Sequence, residues 1–185
     1  ALFLTMLCCI VLGMGVPTTA NYCIMASTCA PILIQMGIPV VAAHFFVFYF
    51  GIVADITPPV ALAAYAGAAI AKANPMKTGL NASRLAIAAF IIPYIFAFSP
   101  AMLFIDTTAW EVVQIVITSS AGMFSISAAL EGYMRAHMSW LERIIGIAAG
   151  LLLIYPGLVT DLIGLGAIVA IILFQSVKAK KNAAA

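Results

Sequence analysis

Two short stretches carry the residues that could do chemistry in this 185-residue chain. The first, Leu12-Gly-Met-Gly-Val-Pro-Thr-Thr-Ala-Asn21, sets glycines, a proline and hydroxyls inside an apolar segment, Ala1 to Val41, that carries no charge. The second, Ala54-Asp-Ile-Thr-Pro-Pro-Val60, adds an acid, a hydroxyl and two prolines. Glycine opens backbone conformations closed to other residues, and proline removes a donor, so both interrupt helices. A helix restarting after Pro17 presents free N–H groups and partial positive charge beside the hydroxyls of Thr18 and Thr19, which suits a carboxylate. The helix ending before Pro17 presents carbonyl oxygens, which suit a cation such as Na+. Broken helices that offer both ends near the membrane midplane are the usual device of secondary transporters.

The remaining reactive residues weigh less. Asp55 is the only acid between Ala1 and Asp106. An intramembrane carboxylate is expensive and defaults to function. Asp55 either helps to hold a cation or carries a proton, against the duller reading of an interfacial carboxylate reached by water. Tyr65, two turns past the second break, either contacts substrate or packs between helices. His44 reads as an interfacial residue rather than a ligand. Cys8, Cys9, Cys23 and Cys29 have neither CxxC spacing nor a histidine nearby, and read as buried small hydrophobes. Glu131, Arg135, Glu142 and Arg143 read as a solvated loop with surface ion pairs. No HExxH, no second deep acid and no serine–histidine pair supports an enzyme.

The elements that must position these residues are membrane helices. Hydrophobic residues make up 65% of the chain and charged residues 8%, against roughly 45–50% and 25% in soluble domains. The apolar runs show no two-residue alternation of the kind a β-barrel needs. The chain therefore reads as an all-α integral membrane protein with a re-entrant helical hairpin, a discontinuous transmembrane helix and about four further transmembrane helices. Residues 1–16 and 18–36 form the hairpin. As one helix they would measure about 54 Å, well beyond the ~30 Å hydrocarbon core, so the chain turns back. Residues 42–72 form the broken helix, with Thr57 as N-cap and Pro58 as the first residue of the new half-helix. The carbonyls of Ala54, Asp55 and Ile56 would be left without donors. A polar connector over 73–81 precedes a span over 84–104, kinked at Pro93. Spans over 112–133, 139–155 and 161–175 follow, the last two turning at Tyr155-Pro-Gly157. Basic clusters at Lys72–Arg84, Arg135–Arg143 and Lys178–Lys181 agree in parity and place those loops in the cytoplasm. Trp110 and Trp140 fall where aromatic belts are expected, and the small residues of 61–70 let helices approach closely.

The order and spacing of Leu12-Gly-Met-Gly-Val-Pro-Thr-Thr-Ala20, Ala30-Pro-Ile32 and Ile56-Thr-Pro-Pro-Val60 resemble the C-terminal half of the large permease subunit of TRAP transporters, the tripartite ATP-independent periplasmic uptake systems. The likeness runs from Ala1 to about Phe104. Gly51-Ile-Val-Ala-Asp-Ile-Thr-Pro-Pro-Val-Ala-Leu62 and the tail beyond Phe104 look more like the fused permeases that work with TAXI-type binding proteins. The resemblance implies a sodium-driven elevator-type importer of an organic acid in a bacterial inner membrane. Its partners would be a periplasmic TAXI-type binding protein, the N-terminal half of the same permease and a small membrane subunit. Residues 1–104 would be the second-repeat portion and 105–185 a C-terminal three-helix membrane extension. The first repeat would lie upstream, and these residues alone would lack half the site and not transport.

Carried onto this chain, the resemblance makes Gly13, Gly15, Thr18 and Thr19 the hairpin part of a sodium site. Ala54, Asp55 and Thr57 become its broken-helix part. Thr18, Thr19 and Asn21 would also face the substrate carboxylate. Tyr65 joins them as a substrate contact through its own position past the break, not through the resemblance. Asp55 departs from the apolar residue common in dicarboxylate-type members. A binding-protein-independent carboxylate symporter and a non-transporting scaffold subunit are the rival readings.

Overall fold

The computed structural model describes residues 1–155 and 157–183, with side chains through Ala179. It is all-α, and among the described residues the one extended pairing is an isolated bridge between Tyr133 and His137. The chain divides into two compact units, Ala1–Leu103 and Phe104–Ala185.

In the first unit α1 (Leu2–Gly13) ends where Met14 turns extended and Gly15 takes a φ of 75°. Pro17 then caps α2 (Thr18–Thr28), giving the expected two-helix hairpin a four-residue tip. Pro31 has no N–H to give, and the helix restarts there as α3 (Ala30–Gln35). Just before it, Ser27 and Thr28 donate their hydroxyls to the carbonyl of Ile24 at 2.9 and 2.7 Å. Gly37, at a φ of 88°, turns the chain into α4 (Val40–Val53).

The core of this unit sits on α4. It packs against α1, α2, α3 and α7 (Ile87–Phe98). Phe46, Val47 and Phe50 are wholly buried. The Phe46 and Phe50 rings lie 4.8 Å apart, and Tyr94 of α7 meets them at 5.4 and 5.8 Å. Edge-on aromatic contacts of this kind contribute about 0.5–1.5 kcal/mol each beyond area burial.

Several expectations are corrected here. The connector over 73–81 is helical, because Asn74 caps α6 (Pro75–Leu85) by accepting from the Lys77 N–H at 3.0 Å, and Pro75 takes the donor-free first position. A bend of 41° falls between α6 and α7 at Ala86, and Pro93 lies within α7. Cys9 and Cys29 are buried, but Cys8 and Cys23 are exposed, since helical spacing puts them on the outer faces of α1 and α2.

The second unit is a helical hairpin with a third helix against it. α8 (Ala109–Glu131) opens with a capping box between Thr108 and Glu111 and closes at Gly132, φ 77°. α9 (Trp140–Ile154) opens with a second box between Ser139 and Glu142, and α10 (Leu158–Ala183) follows. The expected turn at Tyr155-Pro-Gly157 includes Pro156, which lies outside the described residues. α8 and α9 touch through glycines. A Cβ on Gly150 would stand 2.7 Å from the Gly122 carbonyl, and the Ser125 hydroxyl donates to the Gly146 carbonyl at 2.8 Å. Small residues are what let membrane helices approach this closely.

The expected solvated ion pairs are partly inverted. Glu142 is buried rather than solvated. Gln175 donates to Glu142 Oε1 at 2.8 Å and accepts from the Ala136 N–H at 2.9 Å, while Lys178 pairs with Glu142 Oε2 at 3.4 Å. Arg143 donates to the carbonyls of Ala129 and Leu130 at 2.7 and 2.9 Å.

Candidate functional site

The hairpin tip presents its chemistry outward. Thr18 and Thr19 make the first turn of α2, and Gly15, Thr18 and Thr19 are all exposed. The opening N–H groups of that turn have no partner within their helix. Partial positive charge and two hydroxyls therefore face the same open space.

The second break is longer than one proline kink. α4 tightens at Ala54 into a single 3-10 turn, Ala54–Ile56, and regular helix resumes only at Leu62, as α5 (Leu62–Ile70). Thr57 is not the N-cap. Its hydroxyl donates back to the Val53 carbonyl at 2.7 Å, and Ala61, at a φ of 36°, precedes the new helix instead. Pro58 and Pro59, joined by a cis peptide, offer no N–H at the first two positions after Thr57, and the Thr57 hydroxyl is committed to α4 behind it. The expected orphan carbonyls are also mostly partnered. Ala54 accepts from the Thr57 N–H at 3.2 Å, and Ile56 accepts from the Ser83 hydroxyl at 3.1 Å.

The two breaks meet at four small or polar residues. Asn21, only 2% exposed, donates its side-chain amide to the Gly51 carbonyl at 3.0 Å. Its Oδ1 is buried with no hydrogen-bond partner. A Cβ on Gly13 would stand 2.8 Å from Asn21 Nδ2, 3.0 Å from Ala54 Cβ and 3.0 Å from the Gly51 carbonyl. A Cβ on Gly51 would stand 3.0 Å from the same amide. The end of α1, the start of α2 and the end of α4 are thus in contact, with one unpartnered oxygen inside the junction.

Of the residues singled out in the sequence, Gly13, Asn21 and Ala54 come together here. Gly15, Thr18 and Thr19 lie on the exposed tip, and Asp55 and Thr57 are half-buried in the break. Tyr65 turns to the break itself, donating its hydroxyl to the Pro59 carbonyl at 2.7 Å. His44 is half-buried on α4, where Nδ1 and the Tyr22 hydroxyl lie 3.0 Å apart beside a cleft of about 260 Å3 with Phe45 and Phe48. Two contributors escaped sequence reasoning. Gly51 carried a signal, since glycine within an apolar helical run marks a close approach. Ser83 carried none, because it lies a helix away in a stretch that reads as loop.

Oxygen dominates the chemistry of this junction: one amide oxygen, backbone carbonyls and hydroxyls. Among the described residues no three His, Cys, Asp or Glu side chains cluster. The family profile described as tripartite ATP-independent periplasmic transporter, DctM component, matches residues 1–111. No curated protein and no solved structure matches the chain.

Proposed function

Because the chain belongs to the DctM component family of tripartite ATP-independent periplasmic transporters, a secondary-transport permease family whose members work with a periplasmic binding protein and a small membrane subunit, we propose that it forms one ion- and substrate-binding half of a sodium-driven organic-acid importer. The observation that carries the reading is the buried, unpartnered Oδ1 of Asn21 at the meeting point of two broken helices. An amide oxygen without a donor in so dry a place costs about 1–3 kcal/mol, and a cation that draws on it removes that cost. Asn21 therefore moves, in this reading, from substrate contact to cation ligand. It acts with carbonyls from the end of α1 near Gly13 and from the Ala54–Thr57 turn, and Asp55 supplies negative charge nearby.

The substrate carboxylate takes the other pole. Thr18 and Thr19 offer hydroxyl donors at the positive end of α2, exposed where an incoming acid reaches them. Cation and anion then sit on opposite sides of one hairpin tip, so each favours the other's binding through charge. Asn21 and Gly13 transmit that coupling, because they fasten the tip to α4. Tyr65 is a positioning residue that holds the break in shape. The binding protein is of the TAXI type, the remaining membrane portions belong to the same polypeptide, and the setting is a bacterial inner membrane.

The test is uptake by the intact permease in proteoliposomes with its binding protein. Asn21→Leu removes the cation-facing amide oxygen, which contributes on the order of 1 kcal/mol, and Thr18→Val removes a substrate-facing hydroxyl of similar worth. The sodium concentration for half-maximal uptake should rise roughly fivefold in Asn21→Leu, and the acid concentration by a similar factor in Thr18→Val. Uptake that is identical at every sodium concentration, before and after substitution, removes the assignment.

A further inference from the structure

The groove between α8 and α10 in the second unit encloses a cavity of about 250 Å3. That lies below the ~300–1,000 Å3 of drug-sized pockets. Ile117, Leu162 and Leu165 give it apolar walls, and Trp110, which is 74% exposed, stands at its rim. One acid borders it. Asp161 Oδ2 accepts weakly from Gln114 Nε2 at 3.4 Å, while Oδ1 is buried with no partner.

An acceptor of this kind in an otherwise apolar wall is costly unless a donor or a cation reaches it. None of the residues lining the cavity is basic, so the partner must come from outside. Its level in the membrane narrows the choice. Asp161 lies in the first turn of a 22-residue apolar span, Leu158–Ala179, which at 1.5 Å per residue just exceeds the ~30 Å hydrocarbon core. The carboxylate therefore stands at headgroup depth, where the Trp110 ring also belongs. Leu165 and Ile117 lie one and two helical turns deeper, among the acyl chains.

We propose that this cavity holds the headgroup of an aminophospholipid, its ammonium on Asp161 and one acyl chain along Ile117 and Leu165. A primary ammonium brings N–H donors to the unpartnered oxygen, and the Trp110 face attracts the same charge. A trimethylammonium headgroup has the charge but no N–H, and an anionic headgroup meets a carboxylate with no counter-ion. The selection is thus for hydrogen-bond donors as well as charge. It is independent of the transport reading, since no residue of the first unit takes part.

The experiment is native mass spectrometry of the full chain, offered phosphatidylethanolamine, phosphatidylcholine and phosphatidylglycerol with identical acyl chains. Phosphatidylethanolamine should be retained at least about fivefold over the other two, the ratio that one hydrogen bond supplies. Asp161→Asn should abolish the preference. A free amphiphilic amine, dodecylamine, should compete with it, because it shares the ammonium. Equal retention of the three lipids by the unaltered chain overturns the proposal, and that comparison stands even if the variant does not fold. A preference that persists in Asp161→Asn also overturns it. So does binding of dodecylamine with no preference among the lipids, which would make the occupant a soluble amine.

Discussion

Replacing Gly13 by alanine tests whether hairpin and break are held in one register. The added methyl group would meet Asn21 Nδ2 at 2.8 Å and both Ala54 Cβ and the Gly51 carbonyl at 3.0 Å. No yielding side-chain end is available. The amide is tied to Gly51 at 3.0 Å, and the other two atoms move only with the backbone of α4. Overpacking of this kind costs about 1–3 kcal/mol. If Asn21 gives way instead, a buried donor loses its partner at a similar cost of about 1–3 kcal/mol. These are alternative routes of relief rather than additive ones. Alanine also returns roughly 0.5–1 kcal/mol of helix propensity to α1. The net expectation is a destabilisation of about 1–2 kcal/mol. Gly67→Ala is the matched control, because Gly67 lies within α5 with nothing inside 4 Å of its Cβ position, and it should stabilise by roughly 0.5–1 kcal/mol. Thermal unfolding in detergent, in sodium and in potassium, reads both variants. On the proposed function the sodium-dependent rise in midpoint shrinks in Gly13→Ala and persists in Gly67→Ala, since a ligand of the folded state stabilises by mass action. Gly13→Ala as stable as Gly67→Ala would refute the junction.

The polar cap of the second unit gives two further outcomes. Arg143→Lys keeps the charge but loses the fork that reaches the Ala129 and Leu130 carbonyls. It should cost about 1–2 kcal/mol, with Arg143→Met at about 2–4 kcal/mol, and an Arg143→Lys chain as stable as the unaltered one in chemical denaturation would show that charge rather than geometry acts there. Gln175→Leu leaves both Glu142 and the Ala136 N–H without a bond they now make. It should cost about 2–4 kcal/mol and speed amide exchange across the connector over 132–139, whereas unchanged exchange would mean that Gln175 does not hold it.

The interruptions were legible because lipid makes them conspicuous. Gly15, Pro17 and Pro58–Pro59 each forbid an ordinary helical residue, so the ends of α1 and α4 could be placed within a few residues. What replaces the missing bonds was less legible, since the donors come from far along the chain. Ser83 reaches Ile56 across 27 residues and Asn21 reaches Gly51 across 30, and no local pattern announces either. The same limit explains Glu142. A charged residue within a predicted loop reads as solvated, and only a contact from 33 residues away, with Gln175, marks it as an inside residue. Thr57 failed differently: threonine before proline is a fair cap signal, but its hydroxyl donates back to the Val53 carbonyl instead.

Accounting for the freed backbone of the second break explains why one oxygen stands out. Thr57 satisfies Val53, the Thr57 N–H satisfies Ala54, Ser83 satisfies Ile56, and Tyr65 satisfies Pro59. Each partner is a hydroxyl or a backbone N–H of the same unit, so these carbonyls are met from within the protein, as a bilayer demands. Asn21 belongs to the same system, since its amide nitrogen serves Gly51. A side chain placed only to fasten the hairpin could have been a serine or threonine, which rotates to use both its donor and its acceptor. An asparagine held by its nitrogen leaves its oxygen to find a donor elsewhere, and here that oxygen is buried without one. Against the economy of the rest of the break, what is left over is one buried acceptor, and the proposed cation site rests on it.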